Sequence, residues 1–191
     1  PFETQALCPT AYYPTPNPNA ELQIDVVRDL VLAAELNSEH RFWCEKTPRN
    51  VLYFQQILAA FGGAARLIHV VRDGRDVVCS VHPDDLTRTW VAPDRWINDV
   101  QAGLMFEDHP QVLTVRFEDL VTHFDETTQR VCDFVGIDMK SQLRQFPQHA
   151  TVTNSNAWFE AVRHPSADAI GKWRTTSHVD RVDELVSNRL A

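Results

Sequence analysis

Hydrophobic positions along the chain switch between a helical period and short continuous runs, and each switch marks an element. From 21 to 37, Leu22, Val26, Leu30 and Ala33 recur at helical spacing until Asn37. Residues 41–45 (RFWCE) are short, aromatic and bounded by polar positions, which predicts a strand. After a turn at 47–50, residues 51–61 (VLYFQQILAAF) predict a largely buried helix closed by Gly62 and Gly63. Residues 66–71 (RLIHVV) are nearly all apolar, as expected of a central parallel strand. A helix is expected over 77–81, a polar loop with two prolines over 83–95, and a helix over about 94–107. A strand at 112–115 and an amphipathic helix at 124–135, stopped by Gly136, follow. Beyond Pro147 the pattern weakens into a loop carrying 170–174 (IGKWR), then recovers as a last helix from about Val179.

Strands alternating with helices predict an α/β fold in three layers, a mostly parallel sheet flanked by helices. Five of the eleven prolines lie in residues 1–20, so that stretch reads as an extended arm and 21–191 as one domain. In parallel sheets ligands bind beyond the carboxyl ends of the strands. This directs attention to Glu45–Lys46, to the stretch from Arg72 to Ser80, and to Arg116–Asp119.

Composition narrows the classes. With 18 basic and 26 acidic side chains the net charge is −8, which argues against a protein that grips nucleic-acid backbone. No segment has the run of roughly 20 apolar residues needed to span a bilayer, and no signal-peptide pattern opens the chain. The four cysteines lack metal-ligand spacing. Cys44, Cys79 and Cys132 each fall in apolar segments, which predicts buried free thiols and a reducing compartment. Glycine is scarce: of six, only Gly62 and Gly63 are adjacent, and none precedes them. His69, inside the best strand, is expected in the core, as are Trp96 and Phe106, whereas His82 and Trp90 could face an acceptor.

Three stretches can carry chemistry. In VVRDGRDVVCS (70–80) an arginine leaves a strand, a glycine turns the chain and a helix starts, with Ser80 eight residues beyond Arg72. A guanidinium fork, a hydroxyl and a helix N-terminus together suit a phosphate. The plainer alternative is a surface cluster of ion pairs, Arg72 with Asp73 and Arg75 with Asp76. In CEKTP (44–48), Glu45 can take a proton and Lys46 can neutralise developing charge, unless the two are merely an exposed ion pair. In AIGKWR (169–174), a glycine, two cations and an indole can wrap a nucleotide; a tryptophan anchoring a loop to the core is the alternative. Glu118 and Asp119 read as structural, holding the turn after the third strand.

Taken in order, EKTPRNVLYF (45–54), RLIHVVRDGRDVVCSV (66–81), VLTVRFEDLV (112–121) and IGKWR (170–174) resemble sulfotransferases that use 3′-phosphoadenosine-5′-phosphosulfate (PAPS), most closely the bacterial and Golgi branches. The resemblance runs from about residue 40 to 176. It implies a P-loop-NTPase-like fold and sulfuryl transfer to a hydroxyl or amine of a small-molecule, carbohydrate or peptide acceptor. By that resemblance Arg72 and Ser80 hold the 3′-phosphate, Lys46 contacts the transferred group, and Glu45 is the general base. Gly171, Lys172 and Arg174 close over the nucleotide. The product would be 3′,5′-adenosine bisphosphate, with no metal and no nucleic-acid partner. The resemblance implies a cytoplasmic site for a bacterial protein, or the Golgi lumen for a eukaryotic one.

The family's glycine-rich loop for the 5′-phosphosulfate has no counterpart in residues 1–40. The expectation is therefore a partial domain lacking its first strand and loop, or a degenerate homologue. A P-loop kinase and a non-catalytic nucleotide- or partner-binding domain are the rival readings.

Overall fold

The computed structural model describes residues 42, 44–82, 85–149, 163–175 and 177–188. The expected arm at 1–20, the helix at 21–37 and Cys8 lie outside them. Helix α1 (Phe54–Phe61) follows a 3-10 turn at Asn50–Tyr53 and ends where expected, at Gly62. Strand β1 (Leu67–Val71) leads into α2 (Gly74–Val78), then a hairpin of β2 (Val81–His82) and β3 (Asp85–Thr89). Helix α3 (Pro93–Leu104) precedes β4 (Val112–Arg116), which passes directly into α4 (Phe117–Thr122). Next come α5 (Phe124–Val135), the short α6 (Ser141–Arg144) and α7 (Phe146–His149), two 3-10 turns at Ala167–Ala169 and Lys172–Thr175, and α8 (Val179–Asn188).

The chain is α/β, with β1 and β4 pairing in parallel. Their register sets Leu67 opposite Val112 and Val71 opposite Arg116, so both strands finish at the same level. Arg72 and Phe117, the next residues along, therefore emerge side by side. The sheet differs from the sequence expectation in two respects. Phe42, Cys44 and Glu45 carry no strand, and Cys44 is exposed rather than buried. Strand β1 also has β4 as its sole pairing partner among the described residues, and Ile68 and Val70, which share one face of it, are exposed. The expected polar loop at 83–95 instead contains β3 and the first turn of α3, and the expected helix at 77–81 stops at Val78, with Val81 opening β2, the antiparallel partner of β3. A two-residue strand flanked by Pro83 is too short for the sequence pattern to reveal it.

Two apolar clusters hold these elements. Val51, Phe54 and Val112 form the first, with Leu52, Leu58, Leu67, Ala102 and Phe106 around them. Val78, Cys79 and Leu185 form the second, against Trp96, Ile97, Trp173 and Val182. Helix α3 joins the two, giving Trp96 and Ile97 to one and Ala102 to the other, so the expected core roles of Trp96 and Phe106 hold. Complete burial of Val78 contributes about 2 kcal/mol. Cys79 and Cys132 are buried free thiols, as expected; burial, with Asp133 nearby, pushes the Cys132 thiol up from its ordinary pKa.

His69 is in the core, edge-on to Phe54 with ring centroids 6.1 Å apart. It rests against Gly103 of α3, where a Cβ would fall inside the imidazole. Its Nδ1 is buried without a hydrogen-bond partner, and burial lowers its pKa, favouring the neutral ring.

Candidate functional site

The stretch after β1 is built around Asp73, Arg75 and Asp76, and the pairing is not the one the sequence order suggests. Helix α2 begins at Gly74, three residues earlier than expected, because Asp73 caps it: its Oδ1 accepts from the Arg75 backbone N–H at 2.9 Å. The same carboxylate takes the Arg75 guanidinium through Nη2 at 2.6 Å and Nε at 3.0 Å. That charged hydrogen bond holds the Asp73 carboxyl below its ordinary pKa. The Asp73 N–H in turn donates to Glu118 Oε1 at 2.8 Å, which ties the end of β1 to α4. Glu118 is thus structural, as its sequence position implied. The Asp73 and Arg75 N–H groups at the start of α2 are therefore both taken by carboxylates.

Arg72 is paired with neither acid. Its Nη2 donates to the Ala169 carbonyl at 2.5 Å, its guanidinium carbon lies 4.8 Å from the centroid of the Phe117 ring, and its Nε is buried with no partner. Asp76, 2% exposed, reaches the same distant loop. Its Oδ2 accepts from the Gly171 N–H at 2.8 Å and its Oδ1 from the Trp173 N–H at 2.9 Å. A buried carboxylate is tolerated here because each oxygen has a backbone donor. Gly171 has φ +77°, a left-handed backbone that favours glycine, and a Cβ there would also meet the tip of the exposed Arg174 side chain.

The loop completes a cationic face. Arg75 and Arg174 lie over the Trp173 ring at 4.4 and 4.8 Å from its centroid, and Lys172 is exposed. The indole also packs into the second core cluster, which is the loop-anchoring alternative of the sequence reading; its Nε1 is buried without a partner. Ser80 lies two residues past the end of α2. Its Oγ donates to the Asp76 carbonyl at 2.7 Å, and its own carbonyl accepts from the Trp90 N–H at 2.9 Å. The structure therefore joins Arg72, Ser80, Gly171 and Arg174 into one hydrogen-bonded and stacked assembly around Asp76.

Glu45 and Lys46 share no hydrogen bond with that assembly among the described residues. Both are exposed, and the Glu45 carboxylate accepts from Thr47 Oγ1 at 2.5 Å and from Asn50 Nδ2. The segment is anchored by the Arg49–Asp99 ion pair, 3.8 Å, to α3. The His82 side chain lies outside the described residues. Among those described, no group of three or more His, Cys, Asp or Glu side chains is arranged for a metal, and no helix is long and apolar enough to cross a membrane.

Asp76 and Phe117 were missed as site residues. Asp76 follows Arg75 directly and so reads as its surface partner; nothing local indicates a partner 95 residues away.

Comparison with known families gives one match: the model for the sulfotransferase family covers residues 13–141, more than half of the chain. The match begins within the segment read as an arm, upstream of the resemblance at 40–176, and stops short of the 169–174 loop. No curated protein and no solved structure matches the chain.

Proposed function

Because the chain belongs to the sulfotransferase family, we propose that it transfers a sulfuryl group from PAPS to a hydroxyl or amine acceptor. The observation that supports this most directly is the docking of the 169–174 loop on the β1–α2 junction. It brings two cations of the loop to the neighbourhood of Arg72, although they are about a hundred positions away in sequence.

The residues present fit such a donor. A nucleotide phosphate would satisfy the orphan Arg72 Nε, and Arg72 keeps a second guanidinium edge beyond its bond to Ala169. Ser80 spends its hydroxyl proton on the Asp76 carbonyl, so it serves a 3′-phosphate only after its hydroxyl rotates away. Lys172 and Arg174 would cover the nucleotide from the loop side, with Gly171 setting the turn. When bound, the donor supplies an activated sulfuryl group whose bond to the 5′-phosphate breaks as the acceptor's bond to sulfur forms. Lys46 would neutralise charge building on the transferred and bridging oxygens. Glu45 would take the acceptor proton, and its hydrogen bonds from Thr47 and Asn50 orient the carboxylate while leaving lone pairs free. The 5′-phosphosulfate loop implied by the resemblance has no glycine-rich counterpart before Gly62, so this reading assigns only the 3′-phosphate half of the donor site. The acceptor is a small molecule, carbohydrate or peptide.

Calorimetric titration with 3′,5′-adenosine bisphosphate tests the reading. The chain should bind it, Arg72→Ala should weaken binding at least about tenfold, and adenosine 5′-monophosphate should be insensitive to that substitution. Failure of the folded chain to bind the bisphosphate would refute the donor assignment.

A further inference from the structure

The 169–174 loop carries its cations on a segment with little regular structure of its own: a three-residue and a four-residue 3-10 turn. Besides the Arg72 bond to Ala169 and the packing of Trp173, one side chain holds its backbone at two points. The two oxygens of Asp76 each take one backbone N–H, from Gly171 and from Trp173, and the residue skipped between them is Lys172. The carboxylate thus clasps the backbone on both sides of Lys172, which remains exposed. The second donor, Trp173, also carries the ring over which Arg75 and Arg174 lie. Asp76 itself is nearly inaccessible, in the one helical turn that separates Arg72 from Ser80. The same turn therefore positions both halves of the candidate site. Arg72 precedes it by two residues and Ser80 follows it by two, and its buried acid holds the backbone on both sides of Lys172.

We propose that Asp76 is a positioning residue for nucleotide binding, acting through the loop by clasping Gly171 and Trp173 so that Lys172 and Arg174 are pre-set opposite Arg72. This rests on the nucleotide reading given above. Asp76 is buried, so its effect on the ligand runs through the loop cations. An oxygen-to-nitrogen exchange at this site keeps the shape and turns one acceptor into a donor facing an N–H. Asp76→Asn should therefore release the loop with little change in packing.

The experiment has two arms on the intact chain. Limited trypsin digestion, with fragments identified by mass, reads cleavage after Lys172 and Arg174 and needs no ligand. Asp76→Asn should speed these cuts about tenfold or more relative to the parent, as population of the undocked loop rises. Titration with 3′,5′-adenosine bisphosphate forms the second arm. Asp76→Asn should weaken binding about tenfold in the parent chain and cause no further loss in a Lys172→Ala/Arg174→Ala background. Gly171→Ala, strained at φ +77° and crowding Arg174, loosens the clasp from the loop side and should reproduce both effects if Asp76→Asn folds poorly. Unchanged cleavage in Asp76→Asn, or an equal loss of binding in the background lacking the loop cations, overturns the proposal. Absence of nucleotide binding by the parent chain overturns the functional reading instead, while the digestion arm still decides whether Asp76 holds the loop.

Discussion

Gly103→Ala should destabilise this protein, although the same change in an exposed helix interior normally stabilises by about 0.5–1 kcal/mol. Gly103 sits at the end of α3 facing His69, and a Cβ built on it falls within the imidazole ring. The ring has little room to retreat. It is 7% exposed, with Phe54 edge-on at 6.1 Å, and Phe54 is itself held by Phe106 at 5.9 Å. Forcing a methyl into a packed contact of this kind costs about 1–3 kcal/mol, which outweighs the propensity gain. The net loss should be about 1–2 kcal/mol, or roughly 2–8 °C in Tm for a chain of this size. Thermal and urea unfolding of Gly103→Ala measure it. Gly63→Ala serves as control, since a Cβ there meets nothing within 4 Å and should leave Tm close to the parent's. Combining Gly103→Ala with His69→Ala should recover part of the loss, because the added methyl enters the space the imidazole vacates. A Gly103→Ala Tm at or above the parent's would refute this account, as would strict additivity in the double variant.

Two further expectations follow from burial. With a thiol reagent on the folded chain, Cys44 should react at once, while Cys79 and Cys132 should wait for unfolding; labelling all three at equal rates in native buffer would contradict the packing. Acid should also weaken the fold through His69. Its folded-state pKa lies below the unfolded value of about 6.5, so the unfolded chain binds the extra proton more readily. The corresponding stability is present above pH 6.5 and is lost as pH falls through the folded-state value, at no more than about 1.4 kcal/mol per pH unit. Urea midpoints from pH 7.5 to 5 should therefore fall more steeply for the parent than for His69→Leu. Parallel pH profiles would remove His69 as a cause.

Much of the architecture was legible because period and punctuation act locally. The helix at 124–135 appears with those bounds because its apolar stripe repeats at 3.6 residues and Gly136, at φ +76°, ends it in a left-handed turn. β1 and β4 were legible from their β-branched apolar runs. The helix expected at 77–81 starts earlier, at Gly74: glycine and charged residues in RDGRD read locally as a turn, whereas Asp73 caps the helix directly before Gly74. Cys44 is exposed although its neighbours are aromatic and apolar, because the described part of that segment pairs with no strand.

For the candidate site, the sequence by itself determined which side chains are present and in what order: an arginine leaving a strand, a serine eight residues on, a glutamate–lysine pair upstream, and a late loop of glycine and cations. These patterns depend on neighbours a few residues apart, and all but the late loop fall inside the family match at 13–141. Only the tertiary structure decided how those groups are spent. It set Arg72 on the Ala169 carbonyl and Phe117, bonded the Asp73 and Arg75 N–H groups at the start of α2 to carboxylates, and gave Asp76 to the loop rather than to Arg75. A buried carboxylate must find donors wherever the chain brings them, and here they came from residues 95 and 97 positions away. No local pattern encodes such a partner.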